Sequence, residues 1–176
     1  MQSVILGLGS NAAFCREGIS MRPEDILYEA CLILQSVFEK GSFIVSSVYK
    51  TKPLYYTDQA DFYNMAVSGL YSGTAESLFS AAQAIEAVLG RDRKNEVRNG
   101  PRTIDIDIEL FGTQIIKNEF LTIPHEKITE REFVLIPLLE ISPECADPIS
   151  GVKYNTMVSA LPGQGVIKIL PPFDLG

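Results

Sequence analysis

The chain has 176 residues, of which 46% are hydrophobic and 21% charged, with a net charge of −7 and a pI near 4.8. That length and composition suit one compact domain over residues 1–176. The acidic balance argues against a nucleic-acid-wrapping or anionic-membrane surface. Cys15, Cys31 and Cys145 are odd in number and widely spaced, so they give neither a disulfide framework nor a zinc site and point to a reducing, cytoplasmic compartment. The start "MQSVILGLGSN" lacks a basic n-region. No apolar run approaches the roughly 20 residues of a membrane helix.

The first predicted element is a strand over residues 3–10, closing in the small residues Gly7, Gly9 and Ser10. A helix over 22–41 follows, with Pro23 in its first turn, Glu24 and Asp25 at the positive end of its dipole, and Gly41 as its stop. Ile26, Leu27, Ala30, Leu34, Val37 and Phe38 recur at helical spacing. Residues 42–51, rich in β-branched and aromatic side chains, read as a second strand. After a turn-prone loop, residues 62–71 form a third, antiparallel to the second.

Thr74 caps a second helix that ends at Gly90, with Leu78, Ala82, Ile85 and Leu89 as its core face. A basic loop, "RDRKNEVRNGPR", then carries Arg91, Arg93, Lys94, Arg98 and Arg102, five of the fifteen Lys and Arg residues. It leads into the strand "TIDIDIELFG" at 103–112. The order β-α-β-β-α-β is that of a ferredoxin-like α+β core. Beyond it, "GTQ" and "FLTIPH" suggest a hairpin or edge strand. Residues 129–141 suggest a short helix interrupted by Pro137. From residue 143 onward, where five of the ten prolines lie, a loop-rich C-terminal extension is expected.

Asp105 and Asp107 stand two positions apart on a strand and therefore share one face, about 6.5–7 Å apart along the chain. Ile104, Ile106 and Ile108 take the other face. Such close carboxylates repel unless a positive charge intervenes, and Mg2+ with phosphate oxygens supplies one. The alternative is a half-exposed strand with a wet face. The basic loop offers bidentate guanidinium contacts to phosphate, or is a solvated run of charge. Phe62 and Asn64 set an aromatic plane beside an amide, as a flat hydrogen-bonding heterocycle requires, although Phe62 alone also suits a core. Glu86 borders the apolar face of its helix with no basic residue at i±3 or i±4; Gln83 lies one turn earlier. The lone His125 reads equally as a loop-stabilising group or a catalyst. No P-loop is present.

With these segments in order, the chain resembles the 6-hydroxymethyl-7,8-dihydropterin pyrophosphokinase family. The resemblance rests on "LGLGSN", "SSVYKTKPL", "DQADFYNMAV", "IEAVLGRDRK", "GPRTIDIDIELF" and "IPHEKITEREFVLIPLLEISP", which together span residues 6–143. It implies pyrophosphate transfer from ATP to the pterin hydroxymethyl group, leaving AMP, within folate biosynthesis and alongside other enzymes of that pathway. It implies two Mg2+ ions on Asp105 and Asp107, with Asp107 assisting loss of the hydroxyl proton. Phe62 and Phe133 would sandwich the pterin, read by Asn64 and by the backbone around Thr51 and Leu54. Gln83, Glu86, Arg93, Thr122, His125 and Arg131 fall at family positions lining the nucleotide site, and Arg91 and Arg102 on the phosphate-side loop with catalytic roles. The chain departs from the family pattern at Tyr55, at His125-Glu126-Lys127 and at Arg98-Asn99. A non-catalytic ligand-binding module and, less readily, a metal-dependent nuclease are the competing readings.

Overall fold

The computed structural model describes every residue but Tyr55, Glu96 and Arg98, so the departures at Tyr55 and Arg98 lie outside the described residues. In chain order the elements are β1 (Gln2–Ser10), the hairpin β2 (Phe14–Arg16) and β3 (Ile19–Met21), α1 (Pro23–Gln35), β4 (Ile44–Val45), β5 (Val48–Thr51), β6 (Phe62–Tyr71), α2 (Ala75–Val88), β7 (Asp105–Phe111), the pair β8 (Ile116–Lys117) and β9 (Thr122–Ile123), α3 (Glu132–Ile141), α4 (Tyr154–Val158) and β10 (Ile167–Leu170). The main sheet is antiparallel, in the order β10-β5-β6-β1-β7, with β4 also on β6. It is a mixed α/β architecture with helices on both faces of the sheet.

Strand alternation divides two apolar layers. Val4, Leu6, Leu8, Met65, Val67, Ile104, Ile106, Ile108 and Phe111 face α1 and α2, where Ile26, Leu27, Leu34 and Leu78 complete the larger core. Ile5, Ala66 and Leu110 face the other way, onto Val134, Leu135 and Leu138 of α3 and Tyr154 of α4. This second face is apolar at one end alone. At the other end it carries Gly7, Gly9, Asn64, Asp105, Asp107 and Glu109, which line an open cavity. The division between apolar floor and polar floor therefore decides where α3 stops covering the sheet.

Several expected boundaries shift for local reasons. Helix α1 ends at Gln35, because the Ser36 hydroxyl donates to the Ile33 carbonyl at 2.7 Å and competes with continuation. Phe38 then turns back over Gly69, where a Cβ would lie 2.7 Å from its ring. The strand expected at 42–51 breaks at Ser46-Ser47, whose side chains bond to backbone and to Glu140. Helix α3 runs through Pro137, held by buried neighbours on both sides. The loop-rich extension is more ordered than expected: it supplies α4, with Tyr154 fully buried, and β10, which pairs with β5. The hairpin β2–β3 has no counterpart among the expected elements.

Candidate active site

Three loops meet above the polar end of the sheet, and Asn11 joins them. Its Oδ1 accepts from the Arg102 amide at 2.8 Å, while its Nδ2 donates to Gln59 Oε1 at 2.9 Å and to the Ala60 carbonyl at 3.2 Å. Gln59 Nε2 donates in turn to the carbonyls of Tyr56 and Asn99, at 2.6 and 2.9 Å. Ser10 Oγ reaches the Thr103 carbonyl at 2.5 Å. The small residues ending β1 thus staple the turn that precedes β7.

Strand β7 presents Asp105 and Asp107 on one face, and the register with β1 shifts so that Ile5 pairs with Leu110 and Leu6 with Ile108. Glu109 is the extra residue of this bulge. It continues the acidic face and is buried, with Oε2 lacking a hydrogen-bond partner. Gly7 makes room for it, since a Cβ there would lie 2.8 Å from Glu109 Oε1.

The cations come from the end of α2. Gly90, at φ 86°, closes a Schellman turn in which the Arg91 amide donates to the Glu86 carbonyl at 2.9 Å and the Gly90 amide to Ala87 at 3.2 Å. That turn folds Arg91 back beside Glu86. Arg91 Nη1 bonds Glu86 Oε1 at 2.7 Å and also Asp105 Oδ1. Arg93 Nη2 bonds Glu86 Oε2 at 2.5 Å, and Arg102 Nη1 bonds Asp105 Oδ2 at 2.6 Å. The Ile106 amide donates to Glu86 Oε1 at 2.8 Å, so Glu86 ties α2, the basic loop and β7 together.

The charge balance along β7 is uneven. Burial raises the Asp105 carboxyl, but the Arg91 and Arg102 guanidiniums outweigh it and hold it below the ordinary carboxylate range. Burial and then the neighbouring Asp105 push Asp107 up to about 7. Burial, followed by Asp107, pushes Glu109 well above its ordinary value. Burial and then Arg131 lower His125 to about 4, leaving a neutral ring at pH 7. Its Nδ1 accepts from the Lys127 amide at 3.3 Å, which leaves Nε2 as the protonated nitrogen of the neutral ring.

A cavity of about 300 Å³ gathers Thr51, Leu54, Phe62, Asn64, Arg102, Asp105, Asp107, His125, Arg131 and Phe133 from the residues expected in the sequence. Asn64 Nδ2 donates to Thr51 Oγ1 at 2.9 Å, which orients its amide. Arg102 lies 5.8 Å from the Phe62 ring centre and Arg131 5.5 Å from that of Phe133. Glu86, Arg91 and Arg93 are not in the lining: Arg91 bonds Asp105 directly, and Glu86 joins Arg91 to Arg93 behind it. Gln83 is exposed on α2 and Thr122 is half-buried in β9, and neither is in the lining. Glu109 and Gln59 line the cavity and Asn11 braces its loops, and none of the three was expected at the site from the sequence. Glu109 alone had a signal, the continuing alternation of "DIDIE".

Among the described residues no group of three or more His, Cys, Asp or Glu side chains forms a ready-made metal cage. The donor set nonetheless fits a hard cation. Two carboxylates share a face, Asp107 has no ion-pair partner among the described residues, and Glu109 adds a buried, unpartnered oxygen behind them. Mg2+ takes one or two carboxylates and completes its shell with water and substrate phosphates.

The family model of 7,8-dihydro-6-hydroxymethylpterin-pyrophosphokinase (HPPK) matches residues 5–143. The 2-amino-4-hydroxy-6-hydroxymethyldihydropteridine pyrophosphokinase of Haemophilus influenzae is 34% identical over 171 residues, 97% of this chain and 100% of its own length. The folic acid synthesis protein fol1 of Pneumocystis carinii is 38% identical over 126 residues, 72% of this chain; the match spans 17% of that protein. A crystal structure of an HPPK-DHPS in complex with substrates superposes with a TM-score of 0.69 over 90% of this chain and 43% of that one; at 14% identity it bears on the fold alone. No helix among the described residues is long and apolar enough to cross a membrane.

Proposed function

Because the chain belongs to the 7,8-dihydro-6-hydroxymethylpterin-pyrophosphokinase family, we propose that it transfers pyrophosphate from ATP to the hydroxyl of 6-hydroxymethyl-7,8-dihydropterin, releasing AMP. We read residues 1–176 as one domain on a ferredoxin-like core, working in the cytoplasm beside other enzymes of folate biosynthesis. The observation that carries this reading is the pair Asp105 and Asp107, set between the arginines of the basic loop and the Phe62–Asn64–Phe133 pocket.

The pterin plane lies between Phe62 and Phe133. Asn64, oriented by Thr51, reads its polar edge together with the backbone near Thr51 and Leu54. Asp105 and Asp107 would hold two Mg2+ ions, whose chemistry when bound would be to neutralise phosphate charge and orient the triphosphate. His125 and Arg131 offer Nε2–H and guanidinium donors to ATP from the cavity wall, and Gln83, Arg93 and Thr122 flank it. We assign Glu86 an indirect role, since its oxygens are engaged by Arg91, Arg93 and the Ile106 amide.

In the reaction the hydroxymethyl oxygen forms a bond to the β-phosphorus as the bond to the α-phosphate bridge breaks and AMP leaves. Arg91 and Arg102, which balance Asp105 in the ligand-free chain, turn to the phosphate oxygens when ATP brings its own charge. Asp107 receives the hydroxyl proton from the attacking oxygen.

Purified protein with ATP, Mg2+ and the hydroxymethyl dihydropterin is expected to yield AMP, to lose that activity in EDTA, and to regain it on adding Mg2+. Asp105→Ala is expected to abolish turnover while leaving the circular-dichroism spectrum unchanged, because Arg91 retains Glu86. An active Asp105→Ala protein would overturn the metal assignment, and pterin binding without AMP would reveal a binding module instead.

A further inference from the structure

Helix α3 begins inside the site. Arg131 is its N-cap residue, Phe133 is its second residue, and both line the cavity. A helix start leaves its first amides without intrahelical partners, and a Ser, Thr, Asp or Asn at the N-cap usually receives one of them. A guanidinium cannot accept a hydrogen bond, and Arg131 provides no side-chain cap. The residue type that faces the cavity is thus incompatible with capping the helix.

The acceptor comes from 32 positions further along the chain. The Glu132 amide donates to Gln164 Oε1 at 3.0 Å. The Gln164 amide donates back to Glu132 Oε2 at 2.6 Å, and Gln164 Nε2 donates to the Glu130 carbonyl at 2.8 Å. These bonds fasten the residues on either side of Arg131, and Glu132 is itself buried. Gln164 lies beyond residues 5–143, the span that the family model matches.

We propose that Gln164 is a positioning residue, which caps α3 from outside the helix and so fixes Arg131 and Phe133 at the cavity wall. A side chain on the C-terminal segment takes over the capping that residue 131 cannot perform while it faces substrate. Gln164 touches no substrate in this arrangement and acts through the two residues that do. The kinetic part of the proposal rests on the pyrophosphokinase reading; the conformational part does not.

Gln164→Met keeps the side-chain length and removes both side-chain bonds. In the full chain it is expected to raise KM for the pterin and for ATP about fivefold, the scale of a lost helix cap, with kcat within about twofold. Hydrogen exchange at the amides of residues 132–135 is expected to accelerate in the ligand-free protein. Glu140→Ala, at the far end of the same helix, serves as the control: it should lower the melting temperature and leave both KM values in place. Unchanged KM and unchanged exchange in Gln164→Met overturn the proposal, as does a matching KM rise in Glu140→Ala. If the wild type makes no AMP, the pyrophosphokinase reading fails while the exchange measurement still decides the clip.

Discussion

The Glu86 carboxylate receives Arg91 Nη1, Arg93 Nε and Nη2, and the Ile106 amide, with the glutamate side chain 1% exposed and that of Arg91 6%. Removing one member of such a buried set leaves the others desolvated and uncompensated. Glu86→Ala is therefore expected to destabilise the protein by about 3–5 kcal/mol and to lower turnover, because Arg91 loses the carboxylate that holds it beside the cavity. Glu86→Gln keeps an acceptor for the Ile106 amide, so its cost should be about half as large; urea denaturation of both variants measures the difference. None of this was legible from helical spacing, because the partners sit at i+5 and i+7. They reach Glu86 through the left-handed turn at Gly90, which spacing rules for a continuing helix do not include. Asp105, Asp107, Phe62 and Asn64 were legible, since a strand fixes which residues share a face. Asn11 and Gln59 were not, because they act by joining loops distant in sequence.

A short helix was legible over 129–141, but its uninterrupted course through Pro137 and the β4–β5 break were not, and one residue joins the two. Glu140 accepts from the Ser47 amide at 2.8 Å, Ser47 Oγ at 2.7 Å, Tyr49 OH at 3.0 Å and Lys168 Nζ at 2.9 Å. It thereby satisfies the serine at the strand break and ties α3 to β5 and β10. Pro137 in isolation argues against a helix, but burial of Val134, Leu135 and Leu138 outweighs one missing backbone bond. Burial raises the Glu140 carboxyl, while Lys168, Ser47 and Tyr49 outweigh it and hold it below the ordinary glutamate value of 4.5. A depressed carboxyl contributes stability that is complete above the unfolded value and is lost as pH falls through the folded one. The melting temperature of Glu140→Gln should therefore lie below that of the wild type at pH 7, and the gap should narrow progressively below about pH 4.5. A gap that stays constant down to pH 3 would mean that Glu140 acts by shape rather than by charge.

At the scale of the whole molecule, the span that the family model matches and the region that closes the fold are not the same. The family model's match ends at residue 143, yet Tyr154 is fully buried under α3, β10 covers the edge of β5, and the Phe173 ring meets Tyr28 of α1 edge-on at 5.4 Å. Prolines and weak periodicity made this segment read as loop, because its few buried side chains are spread along an irregular path. The long central strands and the two helices α1 and α2 were legible because strongly patterned elements carry their own periodicity. Loss of one large buried aromatic costs about 3–5 kcal/mol, a substantial part of the roughly 5–15 kcal/mol that stabilises a typical domain. Deleting residues 144–176 removes Tyr154, the β5 pairing and the Phe173 contact together. The truncated chain is accordingly expected to lose its cooperative thermal transition and to bind a hydrophobic dye at 25 °C, although every residue proposed to touch substrate remains. Melting within a few degrees of the full chain would show that these contacts are peripheral. It would also remove the structural basis for Gln164 holding Arg131 and Phe133 in place.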